Sequence, residues 1–213
     1  TRVDIYEALY TTRSMRRLKP DPIPMEAQAR ILDAAIRAPH IGEGWRFVLI
    51  DDRAIMAQLA PLYRQGFERM VGQQVGGDLD ELRKIDGPMG RVIRSGLHLV
   101  EHFHEVPLLL IGFGRTRDGG GVYPAVWSAM LAARAEGIGS TLTGMLQSYF
   151  TNELFDLLGV PKDAGWHIHG IVAMGYPLGK WGVGARKPVH AVAARNGWQG
   201  ELGFTVPDPL WPR

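Results

Sequence analysis

Thr11-Thr12-Arg13-Ser14-Met15-Arg16-Arg17-Leu18-Lys19-Pro20 crowds four cations into a short run near the start of the 213-residue chain. The Pro20-Asp21-Pro22-Ile23-Pro24 run behind it excludes regular helix, because each proline lacks an N–H and has a fixed φ. A counterpart lies near the other end: Gly175-Tyr176-Pro177, then Ala185-Arg186-Lys187-Pro188. Arginine suits anion binding, since its planar guanidinium gives two hydrogen bonds to one phosphate and stays charged at any working pH. Each stretch alone reads as a solvated basic patch. The segments between them decide whether the two form one site.

Working outward, residues 3–12 put Val3, Tyr6, Leu9 and Tyr10 on one side of a short helix. A helix is expected over 24–37, with Pro24 as its first residue and Ala27, Ile31, Ala34 and Ala35 on its inner face. Pro39 stops it, because a residue before proline is pushed out of the helical region. Trp45 to Ile50 reads as a strand, and Asp51 or Asp52 can cap a helix over 53–69. Residues 71–90, rich in Gly, Asp and Gln, read as a mobile loop or irregular helix. A helix over 91–104 then leads into the apolar run Pro107–Phe113, the pattern of a strand covered on both faces.

Pro124 to Glu136 reads as a helix burying Val126, Met130, Leu131 and Ala133, and Gly137 ends it. Ile138–Gly144 reads as a short strand and turn. Thr151 is placed to cap a helix to Leu158, and 166–174 reads as a strand. Helices and strands mix without a βαβ rhythm, so the fold class is α+β. Residues 1–198 read as one domain, and 199–213, holding three prolines and Trp211, as a tail that packs on a partner.

The composition narrows the chemistry. There is no cysteine, which excludes disulfides, thiolate metal sites and cysteine nucleophiles. The net charge is only +2 and no long basic run exists, so nucleic acid is a poor partner. No apolar segment approaches the ~20 residues that span a bilayer, and the first residues lack a signal-peptide core, so a cytoplasmic location is expected. Gly137-Ile138-Gly139 follows a helix, the wrong context for a dinucleotide fingerprint. His98, His102 and His104 read as a polar helix face and not a metal site, and His167 and His169 as a solvated or interface-facing pair. No serine sits in a nucleophile elbow.

Four segments, in order, resemble the nitroreductase family of FMN-dependent oxidoreductases. They are Thr12–Arg17 with Lys19–Pro24; Ile31–Pro39 followed by Trp45-Arg46-Phe47; Tyr123–Val126 with Ala132–Thr143; and Gly175-Tyr176-Pro177 with Arg186–Val189. The resemblance covers roughly 5–198. It implies a central, mixed but mainly antiparallel sheet flanked by helices, and a homodimer with two FMN sites at the subunit interface. It also implies a C-terminal extension wrapping the partner subunit.

By position, the resemblance assigns Arg13, Ser14 and Arg186 to the flavin phosphate and ribityl chain. It assigns Arg16 to the pyrimidine edge, where a cation offsets the charge of reduced flavin. Leu142, Thr143 and Gly144 fall near the ring's N5, and Trp45 joins the cofactor set. The implied activity is ping-pong hydride transfer from NAD(P)H to nitroaromatic, quinone or similar electron-poor small molecules, with no catalytic side chain of the protein's own. Two alternatives stay open: a flavin-fragmenting enzyme of the same fold, in which reduced FMN meets oxygen, and a non-catalytic flavin-binding dimer.

Three departures bear on function. The loop Pro39–Trp45 is shorter than in relatives and lacks their Asn and Gln, so His40 and Glu43 become pocket candidates. Trp127-Ser128 replaces the usual Gln-Asn, which makes Trp127 a further pocket candidate, with packing as its plainer role. Thr12 replaces the first of two arginines common in the family, so the phosphate falls to Arg13 and Arg186.

Overall fold

Four strands, β1 (Trp45–Ile50), β2 (Leu108–Gly114), β3 (Gly139–Thr143) and β4 (His167–Gly175), pair antiparallel in the order β1-β2-β4-β3. The computed structural model describes residues 3–40, 44–74, 79–207 and 209–211. The inner strands β2 and β4 are buried along almost their whole length. Their side chains alternate between two clusters. Leu109, Ile111, Phe113, Ile168, Ile171 and Ala173 face one, and Leu108, Leu110, Val172 and Met174 face the other. Helices therefore cover both faces of the sheet, which explains continuous apolar strands in an antiparallel pairing.

On one face lie α2 (Met25–Ala35) and α6 (Val122–Ala135), which pack on each other. Gly112 lets α6 approach, since a Cβ there would stand 2.8 Å from a Val122 methyl. On the other face lie α3 (Arg53–Gln74), α5 (Gly87–Glu101), α7 (Met145–Tyr149) and α8 (Thr151–Leu158). Asp52 caps α3 by accepting from the N–H groups of Ala54 and Ile55 at 2.7 and 3.0 Å.

Several sequence expectations change. α1 (Ile5–Thr11) buries Ala8 and Thr11, while Tyr6 and Leu9 point outward. Pro24 sits at the N-cap of α2 and not inside it. Thr151 does not cap α8, because its hydroxyl donates instead to the Gln147 carbonyl at 2.7 Å. The stretch 71–90 is largely helical where described: α3 runs on to Gln74, a short α4 covers Leu79–Arg83, and α5 begins at Gly87. Buried Val71 and Leu82 anchor it, and packing outweighs its loop-like composition. Residues 75–78 fall outside the described set. His169 is buried, with Nε2 2.6 Å from the Thr116 carbonyl, and is not a solvated histidine.

Among the described residues, the tail from 199 onward holds no helix or strand, and Trp211 meets Tyr10 of the same chain at 5.7 Å between ring centres. No helix among them is long and apolar enough to cross a membrane.

Candidate functional site

The N-terminal basic stretch lies along the outer edge of β3. Ser14 bridges Ser140 in parallel, and the Met15 N–H donates to the Ser140 carbonyl at 2.9 Å. Gly139 makes the approach possible: a Cβ there would lie 2.9 Å from the Met15 Cβ. The stretch then turns onto the segment after β4. Lys19 N–H donates to Tyr176 O at 2.8 Å, and Leu178 N–H donates to Arg17 O at 2.9 Å. The Arg13 Nη2 donates to Lys180 O at 3.0 Å. Residues 13–19 and 176–180 are thus held side by side by the fold.

Arg186 follows along the same extended segment, exposed, with Nη1 donating to the neighbouring Ala185 carbonyl at 2.8 Å. Ser14 is exposed, and Arg16 is half-buried. Arg16 lies close enough to Tyr63 of α3 to act on its phenol. Burial pushes the Tyr63 phenol up, while its 3.1 Å hydrogen bond with the Thr143 hydroxyl and the Arg16 charge oppose that shift.

β3 is an outer strand, so alternate residues turn their backbone groups away from β4. Ser140 does so, as its bond to Met15 requires, and Leu142 follows two residues on. No backbone hydrogen bond of the described residues outside the regular elements reaches Leu142, whose side chain is 44% exposed. Gly144 starts α7, and a Cβ there would meet only the Ser148 hydroxyl at ordinary contact distance. An open backbone donor–acceptor pair therefore lies beside the Arg13 and Arg16 stretch, whose guanidiniums form no ion pair among the described residues, a donor set that fits a flat polar ring joined to a phosphate.

The other expected residues gather elsewhere. Trp45 begins β1, at the opposite edge of the sheet, and stacks on His40 at 3.9 Å and 9°. His40 Nε2 accepts from the Gly44 N–H at 3.2 Å, and the ring lies against Gly121 before α6. Two inner strands separate β1 from β3, about 14 Å at ordinary strand spacing. Within one chain, His40 and Trp45 do not join Arg13 and Leu142. Trp127 is half-exposed on α6 and is not packed in the single chain's core. Glu43 lies outside the described residues. The His98 and His102 rings meet, tilted, at 4.3 Å, but no group of potential metal ligands forms among the described residues.

Sequence reasoning missed three supporting residues. Arg134 of α6 is buried and donates to the Thr11 hydroxyl and the Glu7 carboxylate, both at 2.7 Å. Its guanidinium also lies 4.1 Å over the Trp181 ring, next to Lys180. It therefore ties together α1, α6 and the segment carrying Arg186. The clue was legible, since an arginine among alanines of an apolar helix needs a partner. Tyr63, buried against Phe103 at 4.0 Å, gave no such signal.

The nitroreductase family profile matches residues 9–176. The chain belongs to the nitroreductase family. Membership places it among the oxidoreductases. Solved structures share its fold at low identity. Oxidised iodotyrosine deiodinase bound to FMN and 3-iodo-L-tyrosine is 20% identical, with TM-score 0.68, over 92% of this chain and 100% of that one. The FMN-dependent nitroreductase NfnB from Mycobacterium smegmatis, in complex with NADPH, is 18% identical, with TM-score 0.61, over 81% and 87%. A nitroreductase with bound FMN from Bacteroides fragilis is 21% identical, with TM-score 0.60, over 86% and 95%.

Proposed function

We propose that this nitroreductase-family chain is an FMN-dependent oxidoreductase that works as a homodimer, passing hydride equivalents from NAD(P)H to nitroaromatic, quinone or similar electron-poor acceptors. The observation that carries it is the docking of residues 13–19 between β3 and the segment 176–180, which sets Arg13, Ser14 and Arg16 beside the open edge at Leu142.

FMN, when bound, supplies the two-electron chemistry, which is why the protein needs no nucleophile of its own. Arg13 and Ser14, with Arg186 from the neighbouring segment, would hold the phosphate through charged hydrogen bonds. Arg16 places a fixed cation where negative charge develops on reduction. The Leu142 backbone offers a donor and an acceptor to polar ring atoms, and Gly144 leaves the approach open.

The same geometry supports the homodimer in this reading. His40 and Trp45 sit at the opposite sheet edge from Arg13, and the β1 edge of a second copy would bring both sets to one ligand. α1 packs on α6, and both present large apolar side chains outward, among them Ile5, Tyr6, Tyr123 and Trp127. That is the surface a second copy would cover, and the tail beyond 199 would lie over it.

The test is direct. Purified protein should carry or take up FMN at one per chain and sediment as a dimer. NAD(P)H should bleach the flavin without oxygen, and a nitroarene, a quinone or 3-iodo-L-tyrosine should restore its colour. Protein that gains no flavin absorbance with added FMN would overturn the proposal. Flavin that binds but is never bleached would reduce it to a binding protein.

A further inference from the structure

Arginines from three separate elements converge on one concavity away from residues 13–16. Arg17 comes from the N-terminal stretch, Arg83 from α4, and Arg91 and Arg94 from successive turns of α5, around an open pocket of about 570 Å³. Arg17 and Arg16 are neighbours that serve different surroundings: Arg16 acts on Tyr63, and Arg17 on His98 of α5.

The four are not equally engaged. Arg83 is ion-paired to Glu101, the carboxylate lining the pocket. Arg94 donates to the Ile85 carbonyl at 3.2 Å and lies 3.8 Å from Asp86, whose side chain is 96% exposed. Arg17 and Arg91 make no side-chain hydrogen bond or ion pair among the described residues. Two guanidiniums are therefore steadied and two are uncommitted, all around one hollow with the Ser95 hydroxyl in its wall.

Gathering four guanidiniums around one lining carboxylate is unfavourable, and a concave wall concentrates the field. The size suits a small molecule. With a net charge of +2 and a local hollow instead of a stripe, nucleic acid is not the fit. Guanidiniums drawn from three elements can offer paired N–H donors to the oxygens of phosphate, which accept them.

We propose that the pocket formed by Arg17, Arg83, Arg91 and Arg94 is a second anion site, distinct from the one around Arg13, and that it binds a phosphate-bearing small molecule. The phosphate is either the 2′-phosphate of a reduced dinucleotide, which rests on the oxidoreductase reading above, or that of an unattached phosphate ester.

The experiment is calorimetric titration of the FMN-supplemented protein with inorganic pyrophosphate. Saturable binding that weakens with salt is expected. The double variant Arg17→Gln, Arg91→Gln should lose about a hundredfold in affinity, roughly tenfold per arginine, with an unchanged circular dichroism spectrum. Arg13→Gln and the remote Arg30→Gln should keep it. A flat wild-type titration overturns the site, as does binding that survives the double variant or vanishes only in Arg13→Gln.

Steady-state rates then separate the sources. If the ligand is the dinucleotide, Arg91→Gln raises KM for NADPH and not for NADH, at constant kcat. If both KM values hold while pyrophosphate binding is lost, the ligand is an unattached ester. Absence of any turnover would sink the oxidoreductase reading and leave the pyrophosphate result standing.

Discussion

The two outer edges of the sheet are built for different work. At β3, a basic stretch is laid against the strand, the backbone beyond it is left open, and the segment after β4 brings a second cationic run alongside. At β1, His40 and Trp45 are stacked on each other, and Trp45 packs toward the α2–α6 cluster. One edge presents charge and unpaired backbone; the other presents a flat aromatic wall. A flavin has both needs, a phosphate to hold and a ring to cover, and a single copy of the chain offers them about 14 Å apart. On the proposed dimer, the β1 edge of a second copy would bring the aromatic wall to the charged edge.

The sharpest way to break this contrast is to cut the support of the β3 edge. Arg134→Ala removes a buried guanidinium and leaves Glu7, about one-third exposed, without its partner. Breaking such a pair costs about 3 kcal/mol, read as a lower urea midpoint at unchanged m-value. Flavin affinity should fall with it, because Trp181 and the segment carrying Arg186 lose their anchor. Unchanged stability would mean that the tie does not hold the edge.

Next in size is the phosphate itself. Arg13→Ala or Arg186→Ala should weaken FMN binding by about 2 kcal/mol, the scale of a charged hydrogen bond, and leave riboflavin almost unaffected. Trp45→Ala should weaken FMN and riboflavin alike if, as proposed, it covers the ring. Equal losses of both flavins in the arginine variants would show that the β3 edge contributes folding and not charge recognition.

Gly139→Ala probes the same edge through packing. Its Cβ would lie 2.9 Å from the Met15 Cβ, so the N-terminal stretch must shift away from β3. Overpacking of this kind costs about 1–2 kcal/mol, and FMN affinity should fall more than stability alone requires. Full flavin affinity in a stable Gly139→Ala protein would mean that residues 13–16 need not touch β3.

The sequence carried these edges unequally. β1 and the apolar β2 were plain from their patterns, and four of the helices, α1, α2, α6 and α8, fell within two residues of their expected bounds. Arg13, Ser14 and Arg16 lie on one extended stretch, because local sequence fixes a local run. What stayed hidden was relational. Nothing in Trp45 or His40 reveals that their strand is the far edge of the sheet, since strand order is set by long-range pairing. The shared side of Tyr6 and Leu9 on α1 was legible, but not that it is a surface in one chain while Ala8 and Thr11 are buried. Residues 71–90 read as a mobile loop or irregular helix because of their Gly, Asp and Gln, and two buried anchors are found in the helical outcome.

The smallest effect sits where the two faces of β3 meet. The Tyr63 hydroxyl bonds Thr143, next to the exposed Leu142 and beside Arg16. Tyr63→Phe keeps the stacking on Phe103 and removes one hydrogen bond, a loss of about 1 kcal/mol. A second signature is available in alkali. Burial raises the phenol above its ordinary value, so the folded chain keeps the proton that the unfolded chain gives up near pH 10. The associated stability is whole below that pH and is lost as pH climbs through the folded value. Tyr63→Phe should therefore start slightly less stable at neutral pH and lose less above pH 10 than the parent, measured by urea unfolding at each pH. Parallel pH profiles would mean that Tyr63 is not held protonated by its place under β3. The Thr143 contact would then be incidental to the edge that the flavin is expected to use.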